Sequence, residues 1–170
     1  MTKESERPAS DLPAASLQIR VGAMIYDALL LTGLAFVVSY AMLASLQWSY
    51  PLSPGRRLGL QAVLFVSVGI YLIICWTRAG QTLGMKAWRI KVIDADGRPP
   101  RTARAIARYV LAWHLWLPGL TLAALFHYST SSSLVMLAMG FAVLLMPALF
   151  DRQRRLLHDR WTGTRVARVP

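Results

Sequence analysis

Four stretches of this chain are long and apolar enough to cross a membrane, and nothing else in it limits the possible folds as strongly. A helix that crosses the hydrocarbon core needs about 20 mostly apolar residues, within a range of about 17 to 25. Residues 21–46, 58–76, 106–126 and 134–150 meet that requirement. The first contains a single acid, Asp27, and the second contains no charge. Pro118-Gly119 in the third and Pro147 in the fourth are kinks that neighbouring helices can accommodate. A soluble four-helix bundle would need a polar outer face on every helix, and these segments have none. The expected fold is therefore an all-α membrane protein with four transmembrane helices. The first segment is too long for the apolar core of a secretory signal, about 7 to 15 residues, and its preceding tail carries Glu4, Glu6 and Asp11 beside Lys3 and Arg7. An uncleaved span is the expectation.

Composition enters through the placement of charge. The chain has 19 Lys and Arg against 8 Asp and Glu, a net charge of +11. Lys3, Arg7 and Arg20 precede the first span, eight basic residues lie in 77–108, and six follow Phe150. Only Arg56 and Arg57 fall on the other side of the four spans. Because cytoplasmic loops collect Lys and Arg, both termini are expected in the cytoplasm of a protein of the cell inner membrane. Trp48 and Tyr50 then mark the outer interface, and Trp76 and Tyr109 the inner one. A nucleic-acid binder would spread its basic residues over a polar surface, whereas these sit between apolar runs. The expected partner is a lipid bilayer with anionic headgroups, and not nucleic acid. The lone Cys75 precludes an intrachain disulfide or a thiolate metal cluster.

The organisation that follows is a polar tail over 1–19 and one membrane domain over 20–169, with a cytoplasmic loop at 77–105 and a cytoplasmic tail at 151–170. The loop is too long for a turn. Gln81 to Trp88 suits a short interfacial helix, and Trp88 to Ile93 alternates apolar and basic residues with the period of a half-buried strand, closed by the turn Asp94-Ala95-Asp96-Gly97. Gly163 to Val169 alternates in the same way. A short two-stranded pairing of loop and tail is expected beneath the helices.

Three ordered motifs resemble those of the RDD family of small bacterial membrane proteins, named for one arginine and two aspartates. Arg20-Val21-Gly22-Ala23-Met24-Ile25-Tyr26-Asp27 is similar to the family's opening motif. Gly80-Gln81-Thr82-Leu83-Gly84-Met85-Lys86, followed by Arg89 to Asp94 and Gly97, is similar to its cytoplasmic loop. Asp151 and the run His158-Asp159-Arg160-Trp161-Thr162-Gly163-Thr164-Arg165-Val166 are similar to its C-terminal signature. The resemblance covers residues 20–169. It places the family's second named aspartate at Asp159, with Asp151 as the alternative. It implies involvement in transport, some members having been proposed as cation/proton antiporters.

Asp27 is the residue most open to a functional role, because a carboxylate at the centre of a membrane helix costs about 2.5 to 3.5 kcal/mol on insertion scales. Arg20 lies seven residues earlier, about 10 Å along the axis and nearly on the same face, too far for direct contact without snorkelling. Two readings remain open: a carboxyl that alternates between proton and cation, or a structural carboxylate paired with an arginine of another helix, Arg108 being the candidate. His114, flanked by Trp113 and Trp116, is either a relay for Asp27 or a packing residue, and His127 poses a similar choice. Arg101, Arg104 and Arg108 form a basic stripe that headgroup contact explains, and the same holds for Arg152, Arg154 and Arg155. His158 and Asp159 are expected to diverge in an extended segment and to act structurally.

Phosphate-loop, calcium-loop and nucleophile-elbow patterns are absent, and no metal-ligand spacing occurs, so neither a cofactor nor an enzymatic activity is expected. The leading expectation is transport of a solute or cation, coupled through Asp27 and requiring a homo-oligomer, since four helices make a thin bundle for alternating access. The alternative is a non-transporting adaptor or assembly factor for another membrane protein, with Asp27 as interhelical glue.

Overall fold

The computed structural model describes residues 12–114, 130–150 and 155–169. Two long helices dominate it. Helix α1 (Leu17–Ser45) begins where the Ser16 hydroxyl accepts the Ile19 N–H at 3.4 Å. Helix α2 (Pro54–Arg78) begins with proline, whose missing N–H would have had no helical partner there. Their 29 and 25 residues make rods of about 43 and 37 Å at ~1.5 Å per residue. Both are long and apolar enough to cross a membrane. Leu29, Phe36 and Val37 on α1 and Val66 and Ile70 on α2 are exposed, the pattern of helices solvated by lipid.

Shorter elements gather at one end of these rods. Helix α3 (Leu83–Ala87) is capped by Thr82 and leads into strand β1 (Ile90–Ile93). Helix α4 (Thr102–His114) packs on α2, and α5 (Thr130–Phe150) contains Pro147. Helix α6 (Leu157–Thr162) stops at Gly163, whose φ of +63° is the left-handed conformation that ends a helix, and strand β2 (Arg165–Arg168) follows.

The expected strand pair is present. β1 and β2 run antiparallel, with Ile90 opposite Arg168 and Ile93 opposite Arg165. Asp94 closes the turn after β1: its Oδ1 accepts the N–H groups of Asp96 and Arg98, and Gly97 adopts φ +75°. The far edge of β2 is paired as well. Ala14 bridges Ala167, the Ala15 N–H donates to Val166, and the Arg168 N–H donates to Pro13. The segment just before α1 therefore belongs to this small subdomain. The buried core, Ala15, Ala23, Trp76, Ile90, Val92, Ala105, Tyr109 and Val166, joins the sheet to the ends of α1, α2 and α4. Farther along the rods, α2 and α4 meet where Gly69 faces the Tyr109 ring and the Tyr109 hydroxyl donates to the Phe65 carbonyl at 2.6 Å.

Two local expectations differ from the structure. The loop helix is shorter than Gln81 to Trp88 because Thr82 caps it and Arg89, at φ +51°, turns the chain into β1. Residues 157–162 are helical and not extended: Asp159 binds the backbone at the start of α6 and Gly163 stops it. Pro118-Gly119, Trp116, His127 and Asp151 lie outside the described residues.

Candidate functional site

Asp159 occupies the centre of the subdomain's junction with the helices. Its carboxylate is fully buried and lies in the first turn of α6, where Oδ2 accepts the Leu156 N–H at 3.0 Å. The N-terminal end of a helix favours negative charge there. Arg20, from the first turn of α1, donates to the same Oδ2 at 2.8 Å. Arg108, from α4, donates to Oδ1 and also to the Thr164 hydroxyl at 2.9 Å. Both arginines are 2% exposed. The Arg108 guanidinium lies 5.1 Å from the centre of the Trp76 ring, and the Thr162 and Thr164 hydroxyls bond each other. One carboxylate thus ties together α1, α4 and α6, elements separated in sequence by 139 and 51 positions from their partner.

Burial alone would raise the Asp159 carboxyl, but the Arg108 and Arg20 charges and the Leu156 N–H outweigh it and hold the group well below the usual carboxylate range. His158, 3.4 Å from Asp159 Oδ1, is pushed down to about 3 by burial and then by the Arg108 charge. At physiological pH the carboxylate is ionised and the imidazole neutral. The cluster consequently holds fixed charge and does not exchange protons.

Asp27 has a different environment. It is 8% exposed and lies on the α1 face that also buries Arg20 and Ala23. Its Oδ2 accepts the Thr82 hydroxyl at 2.5 Å and its Oδ1 accepts the Gly84 N–H at 2.8 Å. These are neutral donors at the start of α3, and no lysine or arginine pairs with Asp27 among the described residues. The structure therefore gives Arg108 to Asp159, and not to Asp27 as the ion-pair reading expected. The cause is reach: α6 brings a carboxylate directly against Arg108, while α3 covers Asp27.

The remaining candidates divide simply. Arg20 and Asp27 share a helix face yet engage different partners, as their separation along α1 requires. His114 is the last described residue of α4, and its side chain is outside the described set. His158 and Asp159 converge on one cluster where divergence was expected, because the segment is a helix. The residues that sequence reasoning missed are Thr82, Gly84 and Thr164. Thr82 had a visible signal, since a threonine before a short helix is a preferred N-cap. Gly163 after Trp161-Thr162 was likewise a readable helix stop.

No curated protein and no solved structure matches the chain. The model of the RDD family matches residues 14–163, the stretch that holds Arg20, Asp27 and Asp159, and on that match the chain belongs to the RDD family of small membrane proteins.

Proposed function

We propose that this RDD protein is a four-span protein of the cell inner membrane, with both termini in the cytoplasm, and that it moves a solute or cation across the bilayer as a homo-oligomer. The lengths of α1 and α2, the apolar character of α5 and the gathering of basic residues in the two terminal segments and residues 77–108, with only Arg56 and Arg57 on the other side, support the topology. A reporter fused after Trp48 is expected on the outer side, and a cytoplasmic signal there refutes it.

The observation that carries the transport reading is the contrast between two buried carboxylates. Asp159 is compensated by two arginines and serves as fixed structure. Asp27 lies within a spanning helix and among the described residues is held by neutral donors, so a proton or a small cation can take up its charge without breaking a salt bridge there. No catalytic chemistry is assigned to either group. The test is ion flux in proteoliposomes containing the purified protein. Asp27→Asn keeps the side-chain volume and removes the charge, so flux is expected to vanish while the protein still assembles. Flux at the wild-type rate in that variant refutes the role of Asp27.

The adaptor reading draws on the uncovered apolar residues of α1, Leu29, Phe36 and Tyr40 among them. It becomes the better account if the wild-type protein conducts nothing under any imposed gradient and is recovered with another membrane protein.

A further inference from the structure

We propose that α3 is a re-entrant latch, docked on α1 and touching α2 at Tyr71 while the Asp27 carboxylate is ionised, and released when that charge is neutralised. Asp27 is the eleventh residue of α1 and Tyr71 stands seven residues before the end of α2. At ~1.5 Å per residue these two positions lie about 15 and 10 Å inward from the ends of α1 and α2, so the start of α3 packs alongside the helices. Backbone that enters the hydrocarbon region there must be satisfied by the protein. The Leu83 N–H donates to the Tyr71 hydroxyl at 3.4 Å, the Gly84 N–H to Asp27, and the Met85 N–H to Thr82 Oγ1 at 3.1 Å. Of these acceptors only Asp27 is charged.

The close approach is built into the facing surfaces. A Cβ on Gly84 would stand 2.6 Å from both the Ala23 carbonyl and Asp27 Oδ1. A Cβ on Gly22 would stand 2.7 Å from the Trp88 ring, so that α1 receives both ends of the α3 segment at glycine-lined contacts. A helix of five residues has little stability of its own, and these contacts hold it. Among the described residues the groups that face Asp27 are Thr82 and Gly84 at the start of α3 and, from α2, Tyr71 and Cys75, none of them cationic. Arg20, on the same helix, is engaged with Asp159. Neutralising the carboxylate therefore weakens both bonds to α3 with no other charge to replace it, since charge-assisted hydrogen bonds are about twice as strong as neutral ones.

The protein carries its own reporter. Cys75 is half-buried, and its thiol contacts the Tyr71 side chain that anchors Leu83. The inference shares Asp27 with the transport reading, but its readout is exposure and not flux, so the two can fail separately. The experiment is the rate at which a water-soluble maleimide labels Cys75 in the full-length protein, purified and monodisperse in lipid nanodiscs. Asp27→Asn is expected to speed labelling at least tenfold, the factor for roughly 1.4 kcal/mol of charge assistance lost at one of the two bonds, and Thr82→Val, which leaves the Asp27 charge near the thiol unchanged, is expected to speed it in the same direction. Gly84→Ala leaves the charge in place and displaces α3 sterically, and it is expected to speed labelling comparably. Wild-type rates in both variants overturn the latch, and a fast Gly84→Ala beside an unchanged Asp27→Asn overturns its dependence on charge. Should Asp27→Asn fail to assemble, Thr82→Val removes one donor to the same carboxylate, and an unchanged rate there overturns the proposal equally.

Discussion

Replacing Asp159 with asparagine is the most informative perturbation of the charge cluster, because it changes one atom type and almost no volume. The carboxylate accepts from Arg20, Arg108 and the Leu156 backbone, and two of those three donors are buried guanidiniums. Arg20 and Arg108 bond different oxygens of the carboxylate and asparagine has only one acceptor, so one bond to a charged group, about 1.5 to 3 kcal/mol, is lost and the other keeps no anionic partner. The asparagine NH2 adds a donor facing guanidinium donors, which have no acceptor capacity to offer it. Two buried guanidiniums are left without their counter-charge, and breaking a buried ion pair from one side costs about 3 to 5 kcal/mol. Chemical or thermal unfolding of purified Asp159→Asn, followed by tryptophan fluorescence, measures it directly. Trp76, one of six tryptophans, lies beside Arg108 and contributes to that signal. A variant within about 0.5 kcal/mol of the wild type, the size of an ordinary surface substitution, refutes the view that Asp159 holds the subdomain together.

The pH dependence of stability follows from the same cluster. His158 has a folded value of about 3 against the ordinary 6.5, so between those limits the unfolded chain binds a proton that the native protein refuses. Stability should therefore fall as pH drops below about 6, approaching ~1.4 kcal/mol per pH unit, and His158→Gln should flatten that slope. Asp159, also held below its ordinary value of 3.8, adds a further loss once pH falls below that point. An acid limb that His158→Gln leaves unchanged would contradict this assignment. Gly69→Ala places a Cβ 2.8 Å from the Tyr109 ring, and overpacking of this kind costs about 1 to 3 kcal/mol, readable in the same unfolding assay. Cysteines at positions 92 and 166, opposite each other across the strand pair, should cross-link under oxidation in a Cys75→Ser background, while 92 with 165 should not. Equal cross-linking of both pairs would refute the register.

Much of the architecture was legible because it depends on short-range periodicity. The apolar runs at the positions of α1 and α2 are set by composition over a single segment, and the alternation in Trp88 to Ile93 and Gly163 to Val169 marks strands whatever lies elsewhere. The turn at Asp94 to Gly97 was likewise readable, since its hydrogen bonds join residues at most four apart. Even α6 had a local mark in Gly163, although His158-Asp159 was read as extended.

The wiring of the charged residues was settled only by the tertiary structure. Arg20 and Asp159 are 139 positions apart, Arg108 and Asp159 are 51 apart, and Asp27 reaches Thr82 across 55. No periodicity links such pairs. A buried carboxylate needs some compensating donor, and Arg108 or a backbone N–H could each have met that need for Asp27. The choice fell to packing: the absence of a Cβ at Gly84 lets α3 approach α1 closely enough to offer its N–H to Asp27, and α6 carries Asp159 to the two arginines instead. Charge alone sets how many partners must exist, and only the approach of the helices decides which residues they are.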